Sequence, residues 1–390
     1  MHNVDNRAII YIMIDRFLTN KIRKSLGKGK VVILYGPRRV GKTTVAKQLL
    51  AEVDESSGLY LNCDELAVQE SLESRNLSVL ENMIGAAKRV VIDEAQRVKD
   101  IGIVLKLLID ARPELDIIAT GSSSFELAGR VKEPLTGRSF EFVLHPLSLA
   151  EIQRYSKLSP LDIPQMYERL LRFGAYPSVF LAKDDVVAEE LSSIAKKYVF
   201  KDTLELVDLR QRQLLPRLLT ALALQVGQEV SYNELANKLG VKLETIERYI
   251  TILEHAFIIY RLQALTNNKR NQISNRKRKV YFFDLGVRNA LIENTNPLSI
   301  RDDVGALWEN FCINERQKQN VQNNYLASSY YWRGLYGEVD LVEITATQND
   351  AFEFKWSVKN VAAPKAFKST YPESSFSLIH RDNALSWLLN

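Results

Sequence analysis

Lys30 to Leu50 reads KVVILYGPRRVGKTTVAKQLL. Val31 to Tyr35 is a short apolar β pattern, the loop after it has glycine at both ends, and an amphipathic helical pattern starts at Lys42. The loop therefore opens onto a helix N-terminus. The spacing Gly36-x-x-x-x-Gly41-Lys42-Thr43 is that of a phosphate-cradling P-loop. Gly36 and Gly41 let the backbone approach an anion that a Cβ would obstruct, and Pro37, Arg38, Arg39, Val40 and Thr44 complete the wrapping segment. Successive N–H groups and the positive end of the helix dipole then face a phosphate. Lys42 reaches the β- and γ-phosphate oxygens and the Thr43 hydroxyl is placed to ligate Mg²⁺, so ATP with Mg²⁺ is the expected ligand.

Composition allows this. The chain has 390 residues, 46% hydrophobic and 25% charged, an ordinary globular balance that predicts two or three domains. No apolar run approaches membrane-spanning length, and Asp15 and Arg16 interrupt any secretory pattern in the first 20 residues. Cytoplasmic localisation without a membrane partner is the expectation. Cys63 and Cys312 lie far apart, which predicts reduced thiols. The net charge of +5 is uneven: Glu205 to Val280 holds thirteen Lys or Arg against seven Asp or Glu, leaving the remainder near neutrality.

Along the chain, residues 3–28 read as one or two helices ending at Gly27-Lys-Gly29. Strands are predicted at Gly58–Cys63, Lys88–Asp93, Leu115–Gly121 and Ser139–Leu144, with helices at 66–87 and Val98–Arg112 between them. Short, nearly continuous apolar strands alternating with helices imply a parallel sheet covered on both faces. RVVIDEAQ (Arg89 to Gln96) releases two carboxylates where the sheet edge meets the P-loop. Asp93 suits the Mg²⁺ shell and Glu94 suits polarising the attacking water. A hydroxyl closing the next strand, Thr120 or Ser122, is expected between the γ-phosphate and that water. Arg130 and Arg138 precede the fifth strand. Arg138 is the preferred arginine for phosphoryl-transfer charge, in its own subunit or a neighbour's, although a plain surface arginine fits the position equally.

GPRRVGKTT, VVIDEAQ, IIATGSSS and LTGRSFEFVLHPLS together resemble the prokaryotic AAA-type ATPases that carry a C-terminal domain of unknown function. RFGAYPSVF, KVYFFDLGVRNAL, GALWENFCINE, YYWRGLYGEVDLVE and FEFKWS extend the resemblance over essentially the whole chain. It implies an AAA-like fold, ATP and Mg²⁺, and carries roles onto Lys42, Thr43, Asp93 and Glu94.

Helices are predicted at Leu147–Ser156, Pro164–Phe173 and Val186–Phe200, a lid-like region in which Arg172 is a candidate second sensor or a solvated helix end. Residues 212–265 read helix, glycine break, capped short helix, Gly240 turn, longer helix and strand, a winged helix-turn-helix order. In a DNA-binding reading Lys242, Thr245 and Arg248 face the groove, and the tract Lys269, Arg270, Arg276, Lys277, Arg278, Lys279 forms or flanks the wing. Packing between domains or subunits, with the tract as a solvated loop, is the other reading, and Glu244 and Glu247 favour it.

Residues 281–390 read αβββαβ. Asp340 and Glu353-Phe-Lys355 fall on adjacent strands and Glu309 on the preceding helix. Three carboxylates, Glu309, Asp340 and Glu353, suit a hard divalent cation, with Lys355 orienting water. This resembles the PD-(D/E)xK nuclease core, with Val339 at the leading position instead of proline. The expected architecture is α/β: a P-loop AAA-type core with a parallel sheet (1–145), a helical lid (146–205), a winged helix-turn-helix (206–280) and an αβββαβ nuclease-like domain (281–390). The expected function is ATP hydrolysis coupled to DNA binding and metal-dependent cleavage, in a possible homo-oligomer. The alternative is an ATP-gated regulatory protein whose nuclease-like domain is a non-catalytic platform.

Overall fold

The computed structural model describes residues 14–122, 134–195, 213–266, 278–357 and 361–389. The first helix, α1 (Phe17–Arg23), ends before the Gly27–Gly29 break, and the predicted helical residues 3–13 lie outside the described residues. After it come β1 (Val31–Tyr35), α2 (Lys42–Leu50), β2 (Gly58–Asn62), α3 (Leu66–Glu73), α4 (Leu77–Ile84), β3 (Arg89–Asp93), α5 (Ile101–Ala111), β4 (Asp116–Thr120) and β5 (Ser139–Val143). These strands form a five-stranded sheet in the order β2-β3-β4-β1-β5, every pairing parallel. The predicted helical stretch 66–87 is two helices, because the Asn76 side chain accepts from Ser78 N at 3.0 Å and starts α4 afresh.

The sheet is buried on both sides, as the continuous apolar strands require. Val31, Ile33 and Tyr35 pack with α3, α4 and α5 residues such as Leu72, Leu80 and Leu108. Val32 and Leu34 pack with Ile22 of α1 and Val45 and Leu49 of α2. Each fully buried aliphatic side chain here contributes about 1.5–3 kcal/mol.

The lid region contains α6 (Leu149–Ser156), α7 (Ile163–Phe173), α8 (Pro177–Leu181) and α9 (Val187–Ile194), of which the short α8 was not expected. The part of the last predicted lid helix beyond residue 195 lies outside the described residues. Next come α10 (Leu214–Leu224), β6 (Glu229–Val230), α11 (Tyr232–Leu239), α12 (Leu243–His255), β7 (Ile259–Ala264), β8 (Arg278–Phe282) and α13 (Leu285–Leu291). The chain ends in α14 (Val304–Asn323), β9 (Ser328–Gly334), β10 (Gly337–Ile344), β11 (Asn349–Phe354), α15 (Lys365–Thr370), β12 (Ser375–Ile379) and α16 (Ala384–Leu389).

A single seven-stranded sheet, β12-β11-β10-β9-β7-β8-β6, runs through both C-terminal segments, joined where β7 pairs parallel with β9. One hydrophobic core likewise includes lid residues (Tyr167, Leu171), α12 residues (Ile250, Leu253) and α14 residues (Trp308, Phe311). The lid docks through polar contacts as well. Asp284 accepts from Ala175 N at 2.7 Å in the turn after α7 and caps α13 by accepting from Val287 N at 3.1 Å. Gly174 is required there, since its φ is +75° and an added Cβ would lie 2.1 Å from the Asp284 carboxylate.

Candidate functional site

The P-loop joins β1 to α2 at the carboxyl edge of the parallel sheet. Gly36 has φ +145° and an added Cβ would stand 2.4 Å from the Leu144 carbonyl oxygen, so only glycine fits. Gly41, at φ +102°, is the N-cap of α2. Lys42 is buried and its Nζ donates to the carbonyls of Gly36 at 2.8 Å and Pro37 at 2.9 Å, curling the loop around the ammonium. A cleft of about 530 Å³ opens over the loop, lined by Arg38, Arg39, Lys42, Thr43, Glu94 and Glu190 among others.

Asp93, at the end of β3 and 4% exposed, is the most heavily bonded carboxylate of this edge. It accepts from Thr43 Oγ1 at 2.9 Å, from Tyr60 OH at 2.6 Å and from Thr120 Oγ1. Burial and the Asp93 carboxylate push the Tyr60 hydroxyl far above its usual value, so it stays a donor. Glu94 takes a left-handed conformation, φ 53°, its carboxylate accepts from Gln96 Nε2, and its N–H donates to Thr120 Oγ1 at 3.3 Å.

Three sequence expectations change here. Thr120 is fully buried and bonded to Asp93, so it positions that carboxylate and does not face the attacking water. Ser122 is also buried, its N–H donating to Gln96 Oε1 at 3.3 Å. Arg138 lies at the opposite edge of the sheet: its carbonyl accepts from Val31 N at the start of β1, and its guanidinium pairs with Asp110 at 2.7 Å. In a parallel sheet the residue before a strand sits at the amino edge, about a strand length from the P-loop, so Arg138 does not serve the site of its own subunit. Arg130 lies outside the described residues. Arg172 turns away too, donating to Thr295 O at 3.0 Å.

Tyr60, Arg16 and Glu151 carry no mark of this role in the sequence. Arg16, 7% exposed, donates to the P-loop carbonyl of Val40 at 2.9 Å and to Glu151 Oε1 at 3.1 Å. Glu151 closes a capping box with Ser148 at the start of α6. The next backbone group, Leu149 N, donates to Glu315 Oε2 of α14 at 2.7 Å. Arg39, at φ 61°, pairs with Glu190 of α9 at 2.9 Å and so links loop to lid.

In the C-terminal sheet the expected residues do meet. Leu341 pairs with Phe352, which brings Asp340 of β10 beside Glu353 of β11. A register irregularity against β9 between Val339 and Val342 re-aims this stretch. Asp340, 1% exposed, accepts from Phe354 N at 2.9 Å; Glu353 accepts from Lys355 Nζ at 2.5 Å and keeps its Oε2 buried without a partner. Lys355 also lies 4.0 Å from Asp340.

Lys279, expected on a DNA-facing wing, is instead 1% exposed inside this cluster. Its Nζ lies 3.0 Å from Glu309, 3.6 Å from Asp340 and 4.0 Å from Glu338, and Tyr281 OH donates to the same Glu309 oxygen at 2.5 Å. Burial works against the Lys279 ammonium, but Glu309, Asp340 and Glu338 outweigh it and raise its pKa, so it stays charged. Burial and then Asp340 push Glu309 up to about 7, and burial with Asp340 does the same to Glu353. The expected cation set does not fit. Two ammonium groups already occupy the carboxylates, and among the described residues no group of three or more His, Cys, Asp or Glu is arranged to hold a metal ion.

Of the other expected DNA contacts, Lys242 is the N-cap of α12 and exposed, Arg248 is exposed with its guanidinium 5.7 Å from the Tyr249 ring, and Thr245 is half-buried. Arg278 opens β8. Lys269, Arg270, Arg276 and Lys277 lie outside the described residues.

Residues 28–153 match the AAA domain family, residues 164–298 a domain of unknown function (DUF8612) and residues 304–386 a second one (DUF4143). An uncharacterized protein of Mycobacterium tuberculosis is 28% identical over 344 residues, 86% of this chain and 72% of its own. An uncharacterized protein of Methanocaldococcus jannaschii is 24% identical over 348 residues, 84% and 75% respectively. Protein RecA of Mycoplasma mobile is 24% identical over 158 residues, 38% of this chain and 45% of its own. Among the described residues no helix is long and apolar enough to cross a membrane.

Proposed function

We propose that this chain binds and hydrolyses ATP at the Gly36–Thr44 loop and that the nucleotide state governs a DNA-holding C-terminal half. The match of residues 28–153 to the AAA domain family and the parallel P-loop topology support reading the N-terminal sheet as a nucleotide-binding domain. The observation that carries the reading is the contact of the Thr43 hydroxyl with Asp93 at 2.9 Å, beside a buried Lys42 at the same sheet edge. Mg²⁺ fits this donor pair, since hydroxyl and carboxylate oxygens already lie together; Thr43 and Asp93 would hold it, and it would offset β- and γ-phosphate charge. Lys42 exchanges its loop carbonyls for phosphate oxygens. Arg38 and Arg39 add positive charge on the cleft wall. Glu94 accepts a hydrogen bond from the attacking water, and Thr120 and Tyr60 hold the Asp93 carboxylate in orientation.

DNA binding rests on the order α10, β6, α11, α12, β7, β8, with the β7-β8-β6 antiparallel trio, which supports a winged helix-turn-helix. The exposed Lys242 and Arg248 are its candidate DNA contacts. The lysine-compensated carboxylates favour a C-terminal sheet that serves as a platform rather than a metal-dependent nuclease. The first test is ATP turnover with Glu94→Gln and Lys42→Ala. Glu94→Gln should bind ATP normally and lose about 10²–10⁴-fold in kcat, and Lys42→Ala should lose binding. Undiminished turnover in Glu94→Gln would overturn the assignment.

A further inference from the structure

The buried cluster of Lys279, Glu309, Asp340, Glu353 and Lys355 has the residue types of a cation site, yet its geometry is that of a site already filled. We infer that Lys279 is the built-in cation of this cluster: its ammonium, between Glu309 and Asp340, takes the place that a divalent ion would need, and the C-terminal sheet holds no metal while Lys279 is present. Four observations carry this. Lys279 is 1% exposed, so its charge is committed to the interior and not to solvent or DNA. It is within 4.0 Å of three carboxylates, those of Glu309, Asp340 and Glu338. Tyr281, two positions along β8 and so on the same face of the strand, donates to the oxygen of Glu309 that Lys279 also contacts. Lys355 covers Glu353 and approaches Asp340 from the other strand.

The arrangement also has a mechanical consequence. Lys279 belongs to β8, within the β7-β8-β6 trio, while Glu309 belongs to α14 and Asp340 to β10. One ammonium thus ties the winged segment to the last domain. Removing a buried partner leaves its carboxylates uncompensated, and these then become available to a metal. With Lys279 gone, Glu309, Asp340 and the unpartnered Oε2 of Glu353 supply oxygen donors of the kind Mn²⁺ or Mg²⁺ takes.

The inference is independent of the ATPase reading. It is tested on the full chain without nucleotide by Mn²⁺ titration, followed by electron paramagnetic resonance and by thermal shift. The expected result is that wild type and Asp340→Asn bind Mn²⁺ identically, because no ion sits on Asp340. Lys279→Ala should gain one Mn²⁺ at least about tenfold tighter than any the wild type binds at this cluster, through loss of a fixed positive charge next to the ligands. That gain should vanish in the Lys279→Ala/Asp340→Asn double variant, and Lys279→Arg, which keeps the charge, should behave as wild type. A Mn²⁺ bound by wild type and lost in Asp340→Asn would overturn the inference, whether or not Lys279→Ala folds. So would a folded Lys279→Ala with no added ion.

Discussion

Asp93 shows how one residue of the nucleotide edge is held from several directions. Thr43, Tyr60 and Thr120 donate to its two oxygens from α2, β2 and β4, so the carboxylate is fixed before any ligand arrives. Tyr60→Phe removes one donor and little packing volume, and should lower kcat by about tenfold or more, the value of a hydrogen bond to a charged group, with the melting temperature close to wild type. An unchanged kcat would assign Tyr60 to packing alone. Gly36, Lys42 and Thr43 were legible in the sequence because spacing within one short loop fixes their mutual placement, and Asp93 because an acid pair closing an apolar strand marks it. Tyr60 was not, since it meets Asp93 only through the β2–β3 pairing. Lys279 was misread because the basic run from Lys269 outweighed the strand alternation that sets Lys279 and Tyr281 on one face. The position of Arg138 relative to its own P-loop was readable, because a residue ahead of a parallel strand belongs to the edge away from the loop.

The linkage between elements passes through α14. Arg16 holds the P-loop carbonyl of Val40 and Glu151; Glu151 caps α6, whose first amide rests on Glu315 of α14. Six residues before Glu315, the same helix presents Glu309 to Lys279. Both side chains of the Arg16–Glu151 pair are 7% exposed, so Arg16→Ala strands a buried carboxylate and should cost about 3–5 kcal/mol in urea unfolding. Arg23→Ala, breaking a pair with Glu52 whose members are 43% and 30% exposed, should cost under about 1 kcal/mol. Equal costs would refute the distinction. No pattern in the sequence could show the first pair, whose partners are 135 positions apart. The helices and strands themselves were readable, since period and caps are local. The single sheet through β7 and β9 was not, because a parallel join between distant segments leaves no local mark.

At the scale of the whole molecule, the lid, the winged segment and the last domain share one hydrophobic core, and the lid's Glu190 reaches into the nucleotide cleft to pair with Arg39. Under the proposed function, phosphates arriving at the loop would compete with Glu190 for that arginine, giving ATP a contact that distinguishes its presence from its absence. A shift in the lid would then be felt across the common core, as coupling requires an element that both sites bias. The most direct measurement is the affinity of a labelled DNA duplex for the full chain, by fluorescence anisotropy at fixed salt, with ATP, ADP or no nucleotide. The expected result is that DNA affinity in Glu94→Gln differs between ATP and ADP by about fivefold or more, that Lys42→Ala gives one affinity under all three conditions, and that Lys242→Ala/Arg248→Ala weakens binding throughout. DNA affinity indifferent to nucleotide in Glu94→Gln, or no DNA binding at all, would contradict the coupling.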